Sequence, residues 1–152
     1  MKKTVSLVLV LSMIAVAVIG FGAAANAQTL SNAEKALALI NTFATGDADI
    51  ARSLLAEDYI QHNLAYGTGA DAFVGSVEYL ASAEVKTTVN NIRAFEDGDK
   101  VFLQTVYNFA GAGEQVAFDI FRIDENGKIA EHWDVMETIA DPSTWQNQNG
   151  KF

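Results

Sequence analysis

The residues best suited to chemistry lie in two neighbouring segments near the C-terminus, which carry Asp119, Phe121, His132 and Asp134. Both segments alternate apolar and polar residues, and Asn126-Gly127 between them favours a tight β-hairpin turn. A two-residue turn places Asp119 opposite Asp134, whereas a loop two residues longer places Asp119 opposite His132. Because side chains alternate along a strand, both registers put all four side chains on one face.

Two carboxyl groups and an imidazole on one face are suited to proton transfer. In a dry site two close carboxylates cannot both stay ionised cheaply, so one Asp is protonated or His132 carries a proton between them. Such a group can act as a general acid or base near neutral pH. If that face is open to water, the groups form only a surface charge cluster. The opposite face is apolar and predicts packed core or a subunit contact: Phe118, Ile120, Ile129, Trp133 and Val135.

Helices are predicted before this hairpin. A capping box at Ser31 and Glu34 precedes apolar residues at helical spacing, which predicts a helix over residues 32–45 that ends at Gly46. Two more helices are predicted over about 49–56 and about 71–83. Their candidate N-caps are Asp47 or Asp49 for the second helix and Asp71 for the third.

The hydrophobic period changes from 3.6 to 2 after the third helix. Four runs rich in β-branched and aromatic residues predict strands over 86–95, 101–109, 115–123 and 128–137. Asp97-Gly98 predicts a second tight turn between the first two strands. Helices followed by an antiparallel meander indicate an α+β fold. The tail over 145–152 is compatible with either an ordered or a loose segment.

The first 27 residues differ in composition from the rest of the chain. Lys2 and Lys3 precede an apolar run, and Ala25-Asn26-Ala27 has the small-x-small pattern of a signal-peptidase site. The run is short for a membrane-spanning helix and has no basic flank behind it. We therefore expect a signal peptide over 1–27 that is cleaved between Ala27 and Gln28, and one domain over 28–152. The protein is then periplasmic or secreted, without membrane association after cleavage.

Charge and cysteine content exclude several classes of protein. The formal net charge is −9, and loss of Lys2 and Lys3 with the signal peptide changes it to −11. Such an acidic surface repels the phosphate backbone, so no nucleic-acid partner is expected. The chain has no Cys, which excludes a disulfide framework and a lipid-modified cysteine.

Tyr59, His62 and Asn63 form a weaker group, in a short alternating segment before the glycines at 67 and 69. His62 could stand at the rim of a pocket, although a single His is more often a structural hydrogen-bonding group. A metal site built from both histidines, Asp119 and Asp134 is conceivable. No ligand pair has a helical metal-binding spacing, so we expect no metal.

Three segments together resemble a known family. They are Asp58-Tyr59-Ile60-Gln61-His62-Asn63, Asp119-Ile120-Phe121-Arg122 and Gly127-Lys128-Ile129-Ala130-Glu131-His132-Trp133-Asp134-Val135. Their order and spacing are similar to the SnoaL-like branch of the nuclear-transport-factor-2-like superfamily, over about residues 32–152. Leu64 stands where members usually have proline.

The resemblance implies a cone in which N-terminal helices pack on a curved antiparallel sheet, commonly as a homodimer. It also implies a pocket between the sheet and the helices, with no metal or organic cofactor. In polyketide-cyclase members an Asp on a late strand is the acid/base of an aldol closure, and Asp134 matches it by position. Asp119 and His132 would assist, and the implied substrate contacts are His62, Asn63, Tyr59 and Phe121.

Two classes of function follow. In the first, Asp134 removes a proton from a carbon between two carbonyl groups, and protonated Asp119 or His132 supports the enolate oxygen. The pocket could equally serve an isomerisation, since the fold does not fix the reaction. In the second, the domain binds an apolar small molecule or dimerises without catalysis. The export segment argues against a polyketide cyclase, because polyketide ring closure takes place in the cytoplasm.

Overall fold

The computed structural model describes residues 30–152. The predicted signal peptide and its cleavage site lie outside the described residues. Among residues 30–152, no helix is long and apolar enough to cross a membrane.

Three helices precede most of the sheet: α1 (Asn32–Thr45), α2 (Ala48–Leu54) and α3 (Ala70–Ser82). The capping box is confirmed, since the Ser31 hydroxyl accepts from Glu34 N–H and the Glu34 carboxylate accepts from Ser31 N–H. Gly46 ends α1 in the left-handed region at φ 75°, which costs glycine little. The Asp47 side chain caps α2 through the N–H of Ile50.

The predicted cap of α3 was wrong by two residues. Gly69 is the N-cap, and no side chain caps this end of the helix. Asp71 instead lies in the first turn, where its carboxylate accepts a 2.7 Å hydrogen bond from Arg52 of α2. A carboxylate in the first turn still interacts favourably with the helix dipole.

Five strands form one sheet in the order β1-β5-β4-β3-β2. The strands are β1 (Leu55–Gln61), β2 (Thr88–Asp97), β3 (Lys100–Asn108), β4 (Gln115–Ile123) and β5 (Ile129–Thr138), with short 3₁₀ turns at Phe109–Gly111 and Pro142–Thr144. The four predicted strands are confirmed within a few residues, and the fold is α+β. The sheet is mixed and not purely antiparallel, because β1 joins the edge parallel to β5.

The last hairpin has the first of the two predicted registers, in which Asp119 pairs with Asp134 and Phe121 with His132. Its turn lies between the two predicted lengths, since Asp124 N–H donates to Lys128 O across a three-residue loop. The register then shifts between Arg122 and Ile123, which leaves Ala130 as an extra residue on β5. The bulge offsets the extra loop residue and restores the register that a two-residue turn would have given.

The sheet has an inner face toward the helices, which includes Leu103 and Phe121, and an outer face away from them, which includes Phe118, Trp133 and Val135. The core lies between the inner face and the helices, with α1 and α3 contributing Leu39, Ile40 and Val77. Ile129, predicted on the outer face, belongs to this core because the bulge turns its side chain inward.

The outer face is only partly covered within one chain. Phe118 is 42% exposed and Val135 is 73% exposed, so they are not packed core. The C-terminal tail lies against part of the sheet, where Gln104 on β3 donates to Lys151 O at 3.0 Å. Lys151 also pairs with Glu137 on β5 at 2.5 Å. The tail is therefore ordered, while apolar side chains beside it stay open to solvent.

Candidate functional site

A cavity of about 400 Å³ opens between the inner face of the sheet and helices α1 and α3. Most of its wall is apolar, and its polar side chains come mainly from β1, β3, β4 and β5. The apolar and small lining residues include Ile40, Phe43, Phe73, Gly75, Leu80, Phe109, Phe121 and Met136. The polar lining residues include Gln61, Tyr107, Asp119, His132 and Asp134.

The prediction that four side chains share one face is confirmed, because Asp119, Phe121, His132 and Asp134 all line this cavity. Asp119 is 3% exposed and His132 is 7% exposed, so they are not part of a wet surface cluster. His132 Nε2 lies 3.2 Å from Asp119 Oδ1. The ring of Phe121 stacks on His132, with centroids 4.5 Å apart and planes 17° apart.

Tyr107 on β3 completes the contacts of Asp119. Its hydroxyl donates to Asp119 Oδ2 at 3.0 Å, and its ring stacks on Phe109 at 5.0 Å. Burial of the phenol, and then the charge of Asp119, raise the pKa of Tyr107 well above its ordinary value. The hydroxyl therefore stays protonated and remains a hydrogen-bond donor to Asp119.

Asp134 is held by Asn63, from the loop that follows β1. Asn63 Nδ2 donates to both oxygens of the Asp134 carboxylate, at 2.8 and 3.0 Å. The orientation of this amide is fixed, since Asn63 Oδ1 accepts from the N–H of Ala65 at 2.9 Å. Asn63 is absent from the cavity wall, so it acts by orienting a carboxylate that does line the cavity. A neutral amide orients Asp134 without adding a charge of its own.

Tyr59 lies behind the cavity and does not line it. Its side chain is 1% exposed and packs edge-on against Phe73, with ring centroids 6.0 Å apart. Burial, and then the charges of Asp134 and Asp119, raise the pKa of Tyr59, so its hydroxyl stays protonated. Tyr59 reaches the site through Gln61, whose Nε2 donates to the Tyr59 hydroxyl at 3.2 Å.

His62 lies on the outer side of the sheet, away from the cavity. Its ring stacks on Trp133 at 4.6 Å, and its Nε2 lies 3.1 Å from Glu131 Oε2. Glu131 also accepts from Arg122 Nε at 2.7 Å. These hydrogen bonds, that of His62 first and that of Arg122 next, lower the pKa of Glu131. His62 therefore does not line the cavity, contrary to the prediction that it contacts a substrate there.

Three cavity side chains could each give one ligand atom to a cation. The ligand atoms of Asp119, His132 and Asp134 all lie within 4.8 Å of one another. Histidine and carboxylate ligands suit zinc or iron, and three protein ligands with an open position are typical of catalytic zinc. His62, which the sequence offered as a fourth ligand, points away from this cluster.

Two polar residues that contact the Asp119–His132 pair were missed by the sequence analysis. Gln61 Oε1 lies 3.0 Å from His132 Nδ1, and the Tyr107 hydroxyl donates to Asp119 from the neighbouring strand. The alternation of β3 already places Tyr107 on the same face as Leu103, which pairs with Asp119. The sequence pattern indicated Gln61 less clearly, because its place beside His132 depends on the parallel pairing of β1 with β5.

Comparison with known proteins supports the fold. A family model described as a SnoaL-like domain matches residues 36–132. No curated protein sequence matches the chain. Among solved structures, a protein of unknown function from Cytophaga hutchinsonii, described as NTF2-like, has a TM-score of 0.62 at 17% identity. That alignment covers 73% of this chain and 94% of the other.

Two further structures have names that refer to chemistry. An LEH-like epoxide hydrolase of M. tuberculosis has a TM-score of 0.61 at 17% identity, and the alignment covers 70% of this chain and 82% of the other. IdmH of Streptomyces antibioticus, described as a candidate polyketide cyclase, has a TM-score of 0.57 at 19% identity, covering 71% and 93%. At these identities the similarity shows the fold alone.

Proposed function

The chain belongs to the SnoaL-like domain family of the nuclear-transport-factor-2-like superfamily, and from that premise we propose that its cavity binds a small carbonyl compound and catalyses proton transfer on it. The observation that carries the proposal is the pairing of a largely apolar wall with Asp119, His132 and Asp134 in one cavity of about 400 Å³. Apolar walls favour an apolar body, and convergent polar groups orient its reactive end.

Asp134 acts as the base in this mechanism. Its carboxylate removes a proton from a carbon between two carbonyl groups, and the electron pair moves onto a carbonyl oxygen to give an enolate. The Asp119–His132 pair, which holds one transferable proton, stands on the same wall of the cavity as the acid. In an aldol closure the enolate carbon attacks a second carbonyl carbon, and the new alkoxide takes the proton of the pair. Proton transfer from Asp134 back to the pair, through solvent, completes the cycle.

Proton exchange on a simple 1,3-dicarbonyl compound tests the first step alone. We expect the protein in D₂O to accelerate loss of the C2 proton of 1-phenylbutane-1,3-dione, followed by ¹H NMR. Asp134→Asn should lower the catalysed rate by about 10²-fold or more, the usual contribution of a general base. Asp58→Asn removes the same charge from an exposed position on β1 and should leave the rate unchanged. Binding without any acceleration would refute catalysis.

The second candidate function is ligand binding without catalysis, favoured by the predominance of apolar residues in the cavity wall. It predicts that naphthalene-sized compounds with no enolisable proton raise the melting temperature as much as a dicarbonyl compound of the same size. It also predicts that Asp134→Asn leaves this rise intact. A rise confined to compounds with acidic C–H groups would exclude it.

A homodimer through the outer face of the sheet is the partner that the exposed side chains favour. Phe95, Phe118 and Val135 are 59%, 42% and 73% exposed on this face, and an apolar patch of this kind is typical of an interaction site. Sedimentation equilibrium should give twice the chain mass, and Val135→Lys should shift it to one chain mass. A monomer at micromolar concentration would refute the dimer.

Export is proposed from the sequence of residues 1–27. The intact mass of the protein recovered from the periplasm or the medium should correspond to a chain that begins at Gln28. An unprocessed chain recovered from the cytoplasm would refute the export proposal. It would leave the cavity proposal unaffected and would restore the case for a biosynthetic cyclase.

A further inference from the structure

We propose that Gln61 is a positioning residue: it holds His132 in the tautomer that carries hydrogen on Nδ1, so that one proton lies between His132 Nε2 and Asp119 Oδ1. The inference rests on the proposed proton-transfer function and deepens it, because it assigns the position of the proton that the acid donates. It concerns a side chain that the resemblance to the family did not select. Its test reads the proton directly and does not depend on turnover.

The orientation of the Gln61 amide follows from a backbone group. Gln61 Oε1 lies 2.9 Å from the N–H of Asn63, which can only donate. The atom that faces Asn63 N–H must therefore be the oxygen. The Gln61 NH₂ group then faces the hydroxyl of Tyr59 at 3.2 Å, where it finds an acceptor. A flipped amide would set two donors against each other at Asn63.

The tautomer of His132 follows from the same oxygen. His132 Nδ1 lies 3.0 Å from Gln61 Oε1, and an amide oxygen can only accept, so Nδ1 carries the hydrogen. In a neutral imidazole Nε2 then has a lone pair. This lone pair faces Asp119 Oδ1 at 3.2 Å, in a place where both residues are buried.

Two acceptors at that distance need a proton between them. The proton can reside on Asp119 Oδ1 or on His132 Nε2, and in both cases the pair has no net charge. The other carboxylate oxygen is already satisfied by the Tyr107 hydroxyl at 3.0 Å. In the opposite tautomer, Nε2–H would donate to an ionised Asp119 and the pair would hold one proton fewer. The Nδ1–H tautomer therefore equips the cavity with an acid.

The parallel edge strand explains how Gln61 reaches His132. Gln61 and His132 are direct neighbours in the β1–β5 pairing, and His62 N–H donates to His132 O at 2.9 Å. These contacts fix the backbone on both sides of the Gln61–His132 hydrogen bond. The positioning side chain therefore belongs to a residue held in a strand and not to one in a loop.

Nitrogen-15 NMR of the histidine rings tests the assignment. The chain has two histidines, so the spectrum of His62→Gln identifies the signals of His132. In protein treated with a chelator we expect a protonated Nδ1 in the wild type. Gln61→Met, which keeps the length and removes the acceptor, should move the hydrogen to Nε2. Gln61→Glu, which keeps an acceptor, should retain the Nδ1–H tautomer.

Gln104→Met is the matched control, because Gln104 is also buried but lies on the outer face and donates to Lys151 O. It should leave the His132 spectrum unchanged. Gln61→Met should also lower kcat for dicarbonyl exchange by about 10²-fold, with little change in KM, and Gln61→Glu should restore part of it.

The outcomes separate the two proposals. A wild-type His132 with hydrogen on Nε2 alone, or a Gln61→Met variant that keeps the Nδ1–H tautomer, overturns the role of Gln61. The expected tautomers in a protein that accelerates no exchange would uphold the positioning role and refute the proposed catalysis.

Discussion

Gly75 offers a test of the cavity that separates stability from ligand binding. It lies inside α3 and lines the cavity, and a Cβ placed on it would meet no atom within 4 Å. Glycine inside a helix costs about 0.8–1.0 kcal/mol relative to alanine. Gly75→Ala should therefore raise the free energy of unfolding by about 1 kcal/mol, since the structure offers no clash to oppose it. Gly75→Leu should also fold stably, but its side chain extends into the cavity.

Urea unfolding and thermal shift with 1-phenylbutane-1,3-dione measure the two effects. We expect both Gly75 variants to unfold at higher urea with an unchanged m-value. The ligand-induced rise in melting temperature should persist in Gly75→Ala and disappear in Gly75→Leu. Glu78→Leu places the same side chain at an exposed position of α3 outside the cavity wall and should keep the rise. A destabilised Gly75→Ala, or a Gly75→Leu variant that binds normally, would refute this description of the cavity.

Two further substitutions test the polar contacts on either side of the sheet. Tyr107→Phe keeps the stacked ring and leaves Asp119 Oδ2 without its donor, so the free energy of unfolding should fall by about 1–3 kcal/mol in urea titrations. Glu131→Gln tests a depressed pKa, because hydrogen bonds from His62 and then Arg122 hold the pKa of Glu131 below its ordinary value in the fold. That stabilisation is present above the unfolded pKa and is lost as pH falls through the folded pKa, so Glu131→Gln should lose less stability on acidification.

Each of these substitutions has a matched control. Tyr79→Phe removes the same hydroxyl from a side chain that is 74% exposed, and it should change stability by less than about 0.5 kcal/mol. If Tyr107→Phe left the free energy of unfolding unchanged, this would contradict the Tyr107–Asp119 hydrogen bond. Glu57→Gln changes an exposed carboxylate on β1 and should leave the acid dependence as in the wild type. An unchanged acid profile in Glu131→Gln would contradict the proposed origin of its stabilisation.

The face of the last hairpin could be predicted because it depends only on alternation. The three-residue loop lies between the two predicted lengths, and the bulge at Ala130 offsets its extra residue, so Asp119 pairs with Asp134 as a two-residue turn predicts. The same bulge turned Ile129 into the core, which alternation alone could not predict. Local patterns thus gave the faces of regular segments, whereas the position of a bulge depends on how two strands fit together.

The positions of residues at and after the end of β1 were harder to predict, because they depend on a long-range strand pairing. Gln61 reaches His132 and Asn63 reaches Asp134 only because β1 lies parallel to β5. Alternation within this short segment offered no partner strand, so His62 and its neighbours could not be assigned to a face. The structure places His62 against Trp133 on the outer face, between two residues that serve the cavity.

The two proposals, proton transfer in the cavity and dimerisation through the outer face, concern opposite faces of β4 and β5, so they can fail independently. Val135 lies on the outer face between Asp134 and Met136, both of which line the cavity. A substitution such as Val135→Lys can therefore disrupt a dimer while the hydrogen bonds of the cavity stay within one chain. If Val135→Lys abolished dicarbonyl exchange together with the dimer, the cavity would need the second chain to hold its shape. If exchange survived in the monomer, every group required for proton transfer would come from a single chain, as the intrachain contacts of Asp119, His132 and Asp134 predict.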